Sequence, residues 1–239
     1  MSRRRVVVTG LGALAPNGND LDSFWDALVN GRSGIGPITK FDASEHRARI
    51  AGEIKGFDAE AVLDRKDVRR NDPFTHYAMY AALQATAHAA LDMEAVDAER
   101  VGVIWGSGIG GITTHEDQHT ILMEKGPKRI SPFYVPMMIS DMAAGMISMV
   151  LGAKGPNYAT VSACSSAGHA LGEAARKIQY DDADVMITGG SEAAVTSISV
   201  AGFASAKALS TRNDEPERAS RPFDAARDGF VLGEGAGAI

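Results

Sequence analysis

Cysteine is almost missing from this chain: its 239 residues contain one, Cys164. No disulfide can form within the chain, and a reducing compartment, the cytoplasm, suits it. Aromatic residues are scarce at 6%, so most of the 45% apolar content is aliphatic. Positive charge is not in excess either. The 24 Lys and Arg residues against 30 Asp and Glu leave a net charge of −6, which excludes a protein that coats nucleic acid by bulk charge. Long hydrophobic runs are also lacking. The uncharged stretch 155–172 is rich in Ser, Thr and Gly, so no segment reads as a membrane span. The start of the chain, Arg3 to Arg5 followed by VVVTGLGALA, imitates a secretory signal, but Thr9, Gly10 and Gly12 break its apolar core. A buried strand over 5–9 is the better reading.

What is present is the composition of a globular domain with a sizeable core. At this length folding buries roughly 70–75% of the unfolded surface, so no metal or disulfide is required for stability. Short β-branched runs at 5–9, 101–105, 159–163, 184–188 and 229–232 read as strands. Helical patterns cover 21–30, 73–91, 135–150 and 164–180. This alternation predicts an α/β fold around a mostly parallel sheet. Residues 31–72 are irregular and charged, and read as a surface insertion. The apolar, glycine-rich GFVLGEGAGAI at 229–239 has no polar closure, which suggests the first part of a longer protein.

Several short motifs match known chemistry poorly. His115-Glu116-Asp117-Gln118-His119 spells HExxH, which on a helix would put two imidazoles on one face for zinc. No third ligand follows at a suitable spacing, so a polar surface helix is the simpler account. Gly106-Ser107-Gly108-Ile109-Gly110-Gly111 and Gly10-Leu11-Gly12-Ala13-Leu14-Ala15 both resemble dinucleotide fingerprints. Neither opens a good helix onto a pyrophosphate, and these glycines read as tight turns and close backbone approaches.

The remaining signal is Ala159-Thr160-Val161-Ser162-Ala163-Cys164-Ser165-Ser166, where a strand runs into a helix with the only thiol at the junction. Ala167, Ala170, Leu171, Ala174, Ala175 and Ile178 follow helical spacing, and Arg176 and Lys177 sit where they complement the helix dipole. Free N–H groups at such a helix start favour an anion, which makes Cys164 a candidate nucleophile. A small buried hydrophobe is the alternative. His169 lies five residues on, about 140° around the helix, and reads as a packed core histidine in preference to a base.

The stretches VVVTGLGALAPNG, GSGIGG, KRISPFYVP, VSACSSAGHALGEAARKIQYDDADVMITGGSEA and ALSTRNDEPERASRPFDAARDGFVLGEGAG, in this order, resemble the β-ketoacyl-acyl-carrier-protein synthases, most closely the elongating synthase II branch. The resemblance implies a thiolase-like fold, a five-layer αβαβα core when complete. Residues 1–239 would be its N-terminal βαβαβ-type half with surface insertions. It implies a homodimer that condenses acyl and malonyl groups in fatty acid elongation, by decarboxylative Claisen reaction through an acyl-Cys164 intermediate. Both groups arrive on the phosphopantetheine of acyl carrier protein, with no other cofactor and no metal. Ile109 and Phe203 would line the acyl pocket, with Phe133 and Tyr134 closing the partner subunit's pocket. Arg65, Lys66, Arg69, Arg70, Lys128, Arg129 and Lys207 would dock the acidic carrier protein. The family's second half supplies two histidines, a lysine and a Gly- and Phe-rich loop. None of these is in the sequence, so the polypeptide alone is expected to be inactive. A polyketide or initiating ketosynthase, or a chain-length-factor-like subunit, remains the alternative; Cys164 speaks against the last.

Overall fold

The computed structural model describes residues 4–239. In chain order the elements are β1 (Gly12–Leu14), α1 (Leu21–Val29), β2 (Gly36–Pro37), β3 (Ile50–Ala51), α2 (Arg65–Arg70), α3 (Pro73–His88), β4 (Val101–Gly106), α4 (Ile112–Lys125), α5 (Tyr134–Met138), α6 (Met142–Leu151), β5 (Asn157–Thr160), α7 (Ser166–Gln179), β6 (Val185–Glu192), α8 (Ser197–Ser205) and β7 (Gly235–Ala238). Five strands form one sheet in the order β1-β7-β6-β4-β5, and β2 with β3 forms a small antiparallel pair.

The sheet is mixed where a mostly parallel one is expected. β4 is parallel to β5 and β6, whereas β7 is antiparallel to both β6 and β1. After β6 the chain runs through α8 and a long loop, then returns from the end where β6 finished, and this sets the opposite direction of β7.

β4 is buried on both faces, as a central strand must be. Val101, Val103 and Trp105 belong to the main core with Phe74, Tyr77, Met79 and Ala81 of α3 and Ala143, Ala144 and Ile147 of α6. Ile104, pointing the other way, packs against Ala170 and Ala174 of α7. One face of the sheet is therefore sealed by α3 and α6 and the other is covered by α7. Over β1 and β7 the α7 face stays open. A cavity of about 700 Å³ lies there, walled by Leu11, Ala13, Leu21, Trp25, Leu171 and Ala236.

The expected strand at 5–9 is not one. Gly12–Leu14 pairs with Ala238–Ala236, and among the described residues no strand pairs with the residues before Gly12. Val7 and Val8 are correspondingly exposed, not buried. The 229–232 expectation is also displaced: Phe230 makes only an isolated bridge to Leu209, and the strand follows at β7. The predicted helix 135–150 breaks into α5 and α6, because Met138 O accepts the Gly111 N–H instead of continuing a helical ladder. Residues 31–72 are less superficial than their charge suggests. Buried Glu53 accepts the Thr39 and Lys40 amides and the Thr39 hydroxyl. Buried Glu234, just before β7, pairs with Lys40 and accepts the Ile54 N–H at 3.1 Å. These two carboxylates clasp the segment onto the sheet.

Candidate active site

Cys164 lies in a 3-10 turn, Ala163–Ser165, that leads into α7. Ser166 staples the turn: its Oγ donates to Ala163 O at 2.7 Å and accepts the Ser162 N–H at 2.9 Å. Thr160 Oγ1 at the end of β5 donates to Ser166 O at 2.8 Å. Ala163 is held at φ +51°, left-handed backbone that disfavours a side-chain-bearing residue by about 1–3 kcal/mol. That kink lifts Cys164 off the strand line, and the thiol is exposed.

Two glycines decide how close the turn comes to the sheet. Gly106 and Gly190 are cross-strand partners of β4 and β6. A Cβ on Gly106 would lie 2.4 Å from Ala167 N, and one on Gly190 would lie 2.6 Å from Ala167 Cβ. Only hydrogen at both positions admits the start of α7 onto the strands. Neither glycine stood out individually in the sequence, although GSGIGG and ITGGSEA are the visible signals.

A concavity of about 310 Å³ is lined by Gly106, Ser107, Gly108, Ala163, Cys164, Gly190, Ser191 and Glu192 among others. Glu192, the last residue of β6, faces the 107–110 loop: its Oε1 accepts Ser107 Oγ–H at 2.5 Å and Gly108 N–H at 2.7 Å. Sequence reasoning missed this residue, whose only signal is an acid directly after a Gly-Gly strand end. It missed Asp72 as well. That carboxylate, fully buried, caps two helices, accepting Phe74 N–H of α3 at 3.1 Å and Thr114 N–H of α4 at 2.8 Å. Burial pushes its pKa up to about 6. The Asp-Pro pair at 72–73, an N-cap followed by proline at the first helical position, was a readable sign of the first cap only.

The other sequence-predicted residues are spread out. Ile109 follows the loop glycine and is half-exposed, outside the residues lining the Cys164 concavity. Phe203 of α8 packs edge-on against Phe230, with ring centroids 5.4 Å apart, beside Val195 and Val200. Phe133 and Tyr134 lie at the start of α5, where Tyr134 Oη and His115 Nδ1 are 2.7 Å apart. Glu116 Oε2 accepts the Ile198 N–H at 2.8 Å, so these two members of the HExxH string make protein contacts linking α4 to α5 and α8. His169 departs from the packed-core reading: it is exposed, with Nδ1 2.6 Å from Ser162 Oγ.

Of the basic residues, Arg65, Lys66, Arg69 and Arg70 all fall on α2 and are exposed, as are Lys128, Arg129 and Lys207. Arg65 reaches Glu60 at 3.6 Å. The Arg70 guanidinium sits over the Phe133 ring, 4.8 Å from its centroid. That stack ties α2 to the start of α5, four residues beyond Arg129.

The family model for the beta-ketoacyl synthase N-terminal domain matches residues 3–239. The chain belongs to the beta-ketoacyl synthase family. It is 54% identical, over 239 residues, to 3-oxoacyl-[acyl-carrier-protein] synthase 2 of Synechocystis sp., and 52% identical over 236 residues to the protein of that name from Staphylococcus aureus (strain COL). It covers 58% and 57% of those relatives, and thus spans little more than half the length of these ketosynthases. Among solved structures, a beta-ketoacyl synthase from Burkholderia phymatum STM815 superimposes with a TM-score of 0.88 at 33% identity, covering all of this chain and 58% of that one. The thiolase-like ketosynthase fold expected from the sequence is thereby shown.

Proposed function

We propose that this chain is the N-terminal, nucleophile-bearing half of a 3-oxoacyl-acyl-carrier-protein synthase of the elongating type. The observation that carries this reading is the sole thiol, raised on a left-handed kink at the start of α7 and facing a concavity of about 310 Å³, in a chain of this family. Cys164 Sγ, as thiolate, attacks the carbonyl carbon of an acyl thioester. The tetrahedral oxyanion accepts a hydrogen bond from the Cys164 backbone N–H, then expels the pantetheine thiolate, which takes up a proton. The acyl group remains on Sγ. A malonyl thioester then loses CO₂, and the electron pair of the broken bond attacks the acyl carbon and releases the Cys164 thiolate.

The second step needs proton donors and a carbanion-stabilising pair that the family keeps in its second half. The open α7 face, with exposed Leu11, Trp25 and Leu171, is where that half would pack. Carrier protein docks on the basic surface of α2 and residues 128–129, with Lys207 as an outlying contact, and is steered there although this chain is itself acidic. Ile109, Phe203, Phe133 and Tyr134 contribute the acyl pocket once two copies assemble. The edge strand β5, flanked by exposed Met149, Val150 and Val161, supports a homodimer joined at that edge. The free thiol on which the chemistry depends suits the cytoplasm.

Intact-mass measurement after incubation with an acyl-carrier-protein thioester tests the assignment. The wild-type chain gains one acyl mass and Cys164→Ala gains none; equal gain by both, or none by either, overturns it. A malonyl thioester incubated with the polypeptide alone should release no CO₂.

A further inference from the structure

The six-residue run Gly106–Gly111 has four glycines and only one ladder-like bond beyond β4, from Ser107 N–H to Thr160 O at 3.3 Å. Such a segment has little shape of its own. Yet it must be placed closely, since a Cβ added to Gly108 would come within 3.3 Å of Ala163 O, the backbone of the cysteine turn. Its end is tied to Met138 O by the Gly111 N–H at 3.0 Å, and what fixes residues 107–110 is one carboxylate. Glu192 Oε1 gathers Ser107 Oγ–H at 2.5 Å, Gly108 N–H at 2.7 Å and Ile109 N–H at 3.4 Å. Ser107 Oγ in turn accepts Gly110 N–H at 3.0 Å, so two amides and a hydroxyl hang directly from Glu192 and a third amide hangs from it through Ser107. Among the described residues neither the Gly108 nor the Ile109 amide has another acceptor. An anionic acceptor binds such donors more strongly than a neutral one. The oxygen is occupied by the loop, which leaves it a poor acceptor for a substrate proton.

We propose that Glu192 is a positioning residue of the ketosynthase reaction: it pins the 107–110 loop against the Cys164 turn and thereby fixes where Ile109 stands relative to the acyl chain. This rests on the function proposed above. Glutamine keeps an acceptor oxygen at the same reach, aspartate falls one methylene short, and alanine removes the anchor.

The test compares wild type with Glu192→Gln, Glu192→Asp and Glu192→Ala in the full chain. Hydrogen exchange at the Gly108 and Ile109 amides is followed first, without substrate. Both amides should be protected in wild type and Glu192→Gln, and should exchange faster in Glu192→Ala and Glu192→Asp. Cys164 acylation by short, medium and long acyl-carrier-protein thioesters is then measured with kcat and KM separated. Glu192→Ala should lose about tenfold to a hundredfold in kcat/KM, the scale of one or two hydrogen bonds to a charged group. Its preference among chain lengths should flatten, and glutamine should restore most of both. Unchanged amide exchange in Glu192→Ala overturns the anchor, as does a glutamine variant as impaired as alanine. A wild type that takes up no acyl group sinks the ketosynthase reading instead, and amide exchange alone then decides the anchor.

Discussion

The two faces of the central sheet follow different rules. On the α3 and α6 side, Phe74, Trp105, Ala81, Ala143 and Ile147 are buried and packed together, and the one polar group on the Trp105 ring is satisfied by Ser191 Oγ at 2.9 Å. On the α7 side, contact is made through glycines at β4 and β6, a strained alanine precedes the thiol, and the cover stops over β1 and β7. One face holds the fold and the other carries the exposed thiol. The separation explains how a left-handed residue and an exposed thiol are tolerated: the apolar burial that stabilises the domain lies across the sheet from them.

Breaking the sealed face should have the largest effect. Phe74→Ala or Trp105→Ala should cost about 3–5 kcal/mol in denaturant unfolding, the range for deleting a buried aromatic side chain. Where the variant still folds, alkylation of Cys164 by iodoacetamide should proceed at the wild-type rate. Gly106→Ala attacks the other side: overpacking at this contact should cost about 1–3 kcal/mol and also change the Cys164 alkylation rate, because the start of α7 has to move.

Asp72, beneath the join between α3 and α4, gives a pH signature. Its folded pKa of about 6 lies above the ordinary 3.8, so its protonated form favours folding. That contribution is complete below 3.8 and lost as pH rises through about 6. Wild type should therefore gain stability relative to Asp72→Asn as pH falls from 7 toward 4, measured by unfolding at each pH. A flat difference would show that the carboxylate stays ionised. Asp184 does not confuse this window, since Arg100 and Arg4 hold its pKa down to about 2 and its own contribution fades only in stronger acid. The smallest effect belongs to the open face. Trp25→Ser should change stability by no more than about 0.5 kcal/mol in this chain, because that side chain is mostly in water already.

This contrast also marks what the sequence could disclose. Elements on the sealed side carry strong patterns: β4 is a continuous apolar run, and α3 opens with Asp-Pro and runs almost to its predicted end. Cys164 was legible because it is alone and stands at a strand-to-helix change. The failures lie where a segment's partner is distant in sequence. The valines of 5–9 promise a strand by composition, but a strand exists only against a neighbour, and none pairs with them among the described residues. Glu192, Asp72, Glu53 and Glu234 look like surface acids because nothing local reveals the amides that converge on them. His169 misled in the other direction, since its helical position suggested burial on a face that is left uncovered.

The stack of Arg70 on Phe133 bears on any attempt to alter the charge of this surface. A planar cation resting on a ring contributes through shape as well as charge, and a lysine there would preserve the attraction while surrendering the fit. Inverting the sign at this position would also loosen the start of α5, where Phe133 sits. An engineer aiming only at surface charge would do better to alter Lys66 or Arg69, and to leave the arginine that grips the aromatic untouched.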